Sequence, residues 1–99
     1  MLFRSDVVIG TFPLNVLGRA KVAGDTDGFV KIVADRKYDE LLGVHMIGAR
    51  STELVAEATV ALRLESTVEE LMRTIHAHPT MAEGIGEAAH AVHGGAIHL

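Results

Sequence analysis

Two side chains near the carboxyl end of the sequence have the types and spacing needed for proton transfer. His78 precedes Pro79, and Glu83 lies five positions after His78. A residue before proline disfavours the helical conformation, so His78 is predicted to lie in a loop. Across a tight bend, the Glu83 carboxylate would reach the imidazole ring. Such a carboxylate fixes the tautomer and favours the protonated ring, which leaves the other ring nitrogen free to exchange a proton with a substrate.

A structural interpretation of the same residues is also open. Thr80 and Glu83 have the spacing of a capping box, in which Thr80 caps the next helix and Glu83 is its partner in the first turn. His78 would then be a residue of a proline turn without a chemical role. The chain has no cysteine, and no serine lies near the pair in sequence. If the pair is catalytic, the reacting groups must therefore come from elsewhere.

Other histidines raise the alternative of a metal site. Of the six histidines, His76 lies two positions before His78, and His90 and His93 would share one face of a helix. Zinc sites require three or four convergent ligands, whereas the segment 76–78 offers two. We therefore predict no metal ligands and expect His90 and His93 to line a packing or subunit surface. A histidine-based metal binder is kept as an alternative function.

The first half of the chain has the pattern of β-strands. Four apolar or β-branched runs occupy residues 7–12, 19–23, 29–34 and 41–47. Polar turns separate the later runs, at residues 25–28 and 35–39, and Gly28 suits a positive φ. Because a parallel connection needs a dozen or more residues, these short turns predict an antiparallel meander of about four strands.

After Gly48 the apolar residues follow a helical period. One face is apolar between residues 51 and 64, which predicts the first helix. Thr67-x-x-Glu70 is a capping box that starts a second helix, and a third would run from the Thr80 cap to about Val92. Strands followed by helices predict an α+β fold, with the helices packed on one face of the sheet.

The composition excludes several classes of protein. Hydrophobic residues make up 48% of the 99 residues, and the formal net charge is -4. One domain typically takes roughly 100–150 residues, so a second full domain is not expected. The lack of cysteine excludes a disulfide framework and cysteine redox chemistry by this chain alone. No apolar run approaches the ~20 residues of a membrane helix. The acidic balance argues against nucleic acid. We expect no membrane or nucleic-acid partner and a cytoplasmic location.

The sequence Thr-Ile-His-Ala-His-Pro-Thr-Met-Ala-Glu at residues 74–83 resembles a known family. It is similar to the C-terminal dimerisation domain of the pyridine nucleotide-disulfide oxidoreductases, which are FAD- and NAD(P)-linked enzymes. The resemblance covers about residues 7–99 in order and without large gaps, with further matching stretches at residues 10–14, 18–20, 28–34, 40–48 and 53–58. His76 ahead of His78 and Pro79 makes the chain most similar to the dihydrolipoamide dehydrogenase branch.

The resemblance implies a role for each residue of the pair. His78 would be the acid/base that reaches the active site of the other subunit in a homodimer, and Glu83 would orient it. The His78–Pro79 peptide would be cis, and the backbone near it would approach the FAD of the partner subunit. In the intact enzyme the cofactors would be FAD and NAD. The substrates would be dihydrolipoyl groups of 2-oxo acid dehydrogenase complexes.

The chain lacks other parts of the family pattern. The FAD-binding domain, the NAD-binding domain and the redox-active cysteine pair are missing, as are the strand and helix that usually open this domain. We expect residues 1–6 to be a leader or a cloning remnant and residues 7–99 to be the dimerisation domain. This domain would bind no cofactor alone, would associate with itself and with the missing domains, and would be inactive in isolation. A dimerisation module without any catalytic part is the alternative.

Overall fold

A computed structural model describes residues 6–18, 27–48 and 51–94 of the chain. Three antiparallel strands form a meander in the order β1-β2-β3. Three helices follow and complete an α+β fold. The strands and helices are β1 (Val7–Pro13), β2 (Gly28–Asp35), β3 (Leu41–Gly48), α1 (Ser51–Arg63), α2 (Val68–Arg73) and α3 (Glu83–Val92). The predicted fold class is therefore confirmed, and the fourth predicted strand, at residues 19–23, lies outside the described residues.

Alternation along the strands places one face of the sheet against the helices. Phe12, Val30 and Ile32 are fully buried on that face, and α3 packs on β1 and β2 while α1 packs on β3. A bulge lies between Val33 and Ala34 in the pairing of β2 with β3. The pairing Val30↔Met46 and Ile32↔Val44 brings the partly buried residues of β3 onto the same face. Period-two burial of this kind is expected for a sheet with one covered face.

The opposite face of the sheet keeps apolar side chains exposed. Ile9 in β1 is 53% exposed and Ile47 in β3 is 60% exposed. Apolar exposure continues on the helical side, where Val60 of α1 and Leu64 just after it lie four residues apart. Contiguous exposed apolar surface commonly marks a contact with another protein surface.

Helix α2 begins as the sequence predicts. The Thr67 hydroxyl accepts a hydrogen bond from the backbone N–H of Glu70 at 3.3 Å, which satisfies one free donor of the first turn. The end of α3 is also as predicted, because the helix stops at Val92 and Gly94 adopts a φ of 94°.

The start of α3 differs from the prediction. The Thr80 hydroxyl donates to the carbonyl of Ala77 at 2.6 Å and does not cap the helix. Residues 81 and 82 form a tight turn, in which the N–H of Gly84 donates to the carbonyl of Met81. The helix therefore starts at Glu83. Half of the predicted capping box is retained, since the Glu83 carboxylate accepts from the backbone N–H of Thr80 at 2.8 Å.

Candidate active site

The loop between α2 and α3 brings His78 and Glu83 together. His78 Nδ1 lies 3.0 Å from Glu83 Oε1 and 3.1 Å from Oε2. The peptide bond between His78 and Pro79 is cis. Glu83 is the first residue of α3, so its backbone is fixed by the helix while His78 remains in the loop. The contact predicted from the spacing is present, and the catalytic role of the pair stays a prediction.

The two partners differ sharply in exposure. The His78 side chain is 71% exposed, whereas that of Glu83 is only 11% exposed. The Glu83 carboxylate also accepts a hydrogen bond from the backbone N–H of Thr80, while the His78 ring lies on the surface. A hydrogen bond from Nδ1–H to a carboxylate places the neutral-ring lone pair on Nε2. The arrangement can therefore accept a proton at Nε2 from a group that approaches from outside the chain.

A second histidine–carboxylate pair joins the same loop to α1. His76 Nε2 is 2.6 Å from Glu57 Oε2 of α1, and the His76 side chain is only 10% exposed. The Glu57 hydrogen bond is the main cause that raises the pKa of His76. Burial opposes this shift, while the Glu57 charge, the Thr74 backbone and the Glu83 charge reinforce it. Sequence reasoning missed this pair because its partners are nineteen positions apart.

Two further histidines among the described residues lie at or near the end of α3. His93 Nε2 lies 2.8 Å from Asp39 Oδ1 in the turn between β2 and β3, while His90 lines a small cavity beside α3. His76 and His78 bind different carboxylates and do not converge on one point. In the part of the chain that the structure describes, no three His, Asp or Glu side chains are grouped so as to hold a metal ion.

The lengths of the helices and the positions of the glycines bear on two further expectations. Among the described residues, no helix is long and apolar enough to cross a bilayer. The described glycines that adopt a positive φ are Gly28, Gly48 and Gly94, which are dispersed over strands and a helix end. The dinucleotide-binding fingerprint requires clustered glycines between a strand and a helix, a pattern that these three glycines do not form.

Comparison with known proteins confirms the family that the sequence resembles. The family model described as the pyridine nucleotide-disulphide oxidoreductase dimerisation domain matches residues 3–89. The chain is 55% identical over 94 residues to the dihydrolipoyl dehydrogenase of Bacillus subtilis and 48% identical to that of Thermus scotoductus. Each alignment covers 95% of this chain and 20% of the relative. The chain thus spans about a fifth of the length of the curated relatives it matches.

Solved structures agree on the fold. The LpdA protein of Mycobacterium tuberculosis superimposes with a TM-score of 0.81 at 31% identity, over 85% of this chain and 18% of that chain. The HOCl-induced flavoprotein disulfide reductase RclA of Escherichia coli gives a TM-score of 0.83 at 25% identity, over 89% and 20% of the two chains.

Proposed function

Since the chain belongs to the dimerisation-domain family of the pyridine nucleotide-disulphide oxidoreductases, we propose that it forms the subunit interface of a dihydrolipoyl dehydrogenase. In the assembled homodimer, His78 and Glu83 serve as an acid/base pair in the active site of the other subunit. The hydrogen bond from the exposed His78 ring to the largely covered Glu83 carboxylate carries this proposal.

The proton chemistry follows from the environment of the ring. Glu83 holds the proton of neutral His78 on Nδ1, which leaves Nε2 free to accept a second proton. A dithiol substrate must lose a proton before its sulfur can attack a disulfide as the thiolate. His78 Nε2 takes that proton, and the Glu83 charge stabilises the imidazolium that results. The disulfide belongs to the larger part of the enzyme, because this chain contains no cysteine.

FAD and NAD bind to that larger part as well. When bound there, they would supply the redox chemistry that follows attack of the dithiol on the disulfide. This chain contributes the subunit contact and the proton transfer. Ala77, His78 and Pro79 are all exposed, so they can contact the surface of the other subunit. We propose that this stretch of backbone approaches the flavin of the partner subunit.

The exposed apolar side chains support the interface part of the proposal. Ile9 and Ile47 on the sheet, and Val60 and Leu64 on the helical side, remain open to solvent in the single chain. Self-association about a two-fold axis is the simplest way to cover such surface, because the contact is then complementary to itself. Sedimentation equilibrium of the 99-residue chain over a wide concentration range measures this directly.

The catalytic part is tested in the full-length enzyme that carries this domain. His78→Ala is expected to lower kcat for dihydrolipoamide oxidation by about 10²–10⁴-fold, the usual contribution of a general acid/base. Glu83→Gln is expected to lower kcat by a smaller factor, because the glutamine side chain can still accept the hydrogen bond from the His78 ring. Glu70→Ala is the control, since Glu70 is exposed on α2 and does not lie on the sheet face that carries Ile47. If His78→Ala forms an intact dimer with full activity, the catalytic role of His78 is wrong. The chain would then be a dimerisation module without a catalytic part.

A further inference from the structure

We propose that Glu57 and His76 form a positioning pair that holds the loop carrying His78 against the helices, so that the His78 ring meets Glu83. The meaning of this pair for catalysis rests on the function proposed for His78. The pair itself touches no substrate in this scheme, and it acts through the geometry of the loop.

His76 is the one residue in the central part of that loop, residues 75–79, whose side chain is largely covered. Among residues 75–79, which are all described, every residue except His76 is exposed. Ile75 directly before it is 96% exposed, whereas the His76 side chain is 10% exposed. Without the His76 side chain, the stretch that leads into His78 would have no packed side chain to fix its path.

The His76 ring is held between two helices. Its Nε2 atom lies 2.6 Å from Glu57 Oε2 on α1. On the other side, a Cβ placed on Gly86 of α3 would come within 3.1 Å of His76 Nδ1 and 3.3 Å of Cε1. Glycine at this position therefore makes room for the ring. The imidazole thus links α1 to the helix that begins with Glu83.

Charge reinforces the contact. The Glu57 hydrogen bond is the largest of the causes that raise the pKa of His76, so the pairing favours the protonated ring over the neutral one. The ring also lines a cavity of about 210 Å³ with Glu83, Glu87 and His90 of α3. The charge on Glu83 raises the His76 pKa as well. A hydrogen bond between charged partners is about twice as strong as a neutral one.

Only Ala77 separates the anchored ring from His78. The Ala77 carbonyl accepts the hydroxyl of Thr80, and the Thr80 N–H in turn donates to Glu83. Movement of His76 is therefore transmitted along two residues to the 3.0 Å contact between His78 and Glu83. A displacement of about 1 Å at a catalytic group can lower the rate by roughly 10²-fold.

The first test measures the tautomer of His78 in the 99-residue chain by ring-nitrogen NMR at a pH where the ring is neutral. In the wild type, Nδ1 is expected to carry the proton, as the Glu83 contact requires. Glu57→Ala is expected to increase the Nε2–H tautomer, because the loop loses its anchor. Glu57→Gln retains an acceptor and should restore most of the wild-type spectrum. Glu70→Ala, an exposed glutamate on α2, is the control.

A second variant perturbs the ring without removing either partner. Gly86→Ala places a methyl group against the His76 ring while it improves helix propensity. It should therefore shift the His78 tautomer in a chain that stays folded. If both Glu57→Ala and Gly86→Ala leave the His78 ring signals as in the wild type, the proposal is wrong, whatever His78 does in the enzyme.

The enzymatic arm separates this inference from the proposed function. In the full-length enzyme, Glu57→Ala is expected to lower kcat by roughly 10-fold to 100-fold with little change in KM, and Glu57→Gln should recover most of it. Adding Glu57→Ala to His78→Ala should cause no further loss. If His78→Ala is inactive but Glu57→Ala is fully active, only the positioning role of the pair is wrong. If His78→Ala is active, the proposed function is wrong.

Discussion

The contact between β1 and α3 at Gly10 allows a sharp test of the packing. A Cβ placed on Gly10 would lie 2.4 Å from the Val92 backbone nitrogen and 2.6 Å from the Ala88 carbonyl oxygen. Two of the three nearest atoms are helix backbone, so no rotamer change can relieve the overlap. Gly10→Ala therefore forces strand and helix apart, by about 1 Å if ordinary contact distances are to be restored.

The size of the effect follows from that separation. A gap of about 0.5–1 Å forfeits a quarter to a half of the dispersion energy between the surfaces that it parts. Small-to-large changes in a well-packed core typically cost about 1–3 kcal/mol. Because the clash involves fixed backbone on both sides, we expect Gly10→Ala to lower the unfolding free energy by about 2–3 kcal/mol. For a domain of this size, each kcal/mol shifts Tm by roughly 4–8 °C.

Urea unfolding followed by circular dichroism measures this difference. Gly43→Ala is the matched control, because Gly43 also lies in a strand and a Cβ there would come no closer than 3.7 Å, to His45 Nε2. The control is expected to be neutral or slightly stabilised, since alanine has less conformational freedom in the unfolded chain. Equal stabilities for the two variants would refute the close approach of β1 and α3.

Two further predictions concern the helices. Thr67→Ala removes the acceptor for the Glu70 N–H at the start of α2 and is expected to lower the unfolding free energy by about 1 kcal/mol, with Thr67→Ser close to the wild type in the same denaturation assay. The second concerns pH. Because the fold raises the pKa of His76 above 6.5, the stabilisation from its pairing with Glu57 is complete below 6.5 and is lost as pH rises through the higher folded-state value. The difference in unfolding free energy between the wild type and Glu57→Ala should therefore be larger near about pH 6 than near about pH 9. An equal difference at the two pH values would contradict a charged pair of His76 and Glu57.

Local signals in the sequence account for most of the described strands and helices. The β-branched runs at residues 7–12, 29–34 and 41–47 become β1, β2 and β3, because alternation and short polar turns act within a few residues. The cap at Thr67 and the stop at Gly94 are local in the same sense. The predicted start of α3 is wrong, because the Thr80 hydroxyl donates to the Ala77 carbonyl and does not accept a hydrogen bond from an N–H group of the helix.

The turn between β2 and β3 shows how tertiary contacts add to such local signals. The charged cluster at residues 35–39 predicted only a solvated turn. In the structure Asp39 adopts a φ of 62° and its carboxylate accepts from the backbone N–H of Glu69 and contacts His93. One aspartate therefore joins the turn to α2 and to the end of α3. Contacts between residues 30 and 54 positions apart have no local signal in a single sequence.

For the candidate site, the sequence by itself determined which residues could do chemistry. His78 and Glu83 lie five positions apart across a proline turn, so their contact follows from local geometry. The tertiary structure alone decided their exposure, with the ring exposed and the carboxylate largely covered, and it alone brought Glu57 of α1 to His76. The physical reason is that spacing along the chain fixes what can meet within one turn. Burial and charge pairing between helices depend on how the helices pack on the sheet.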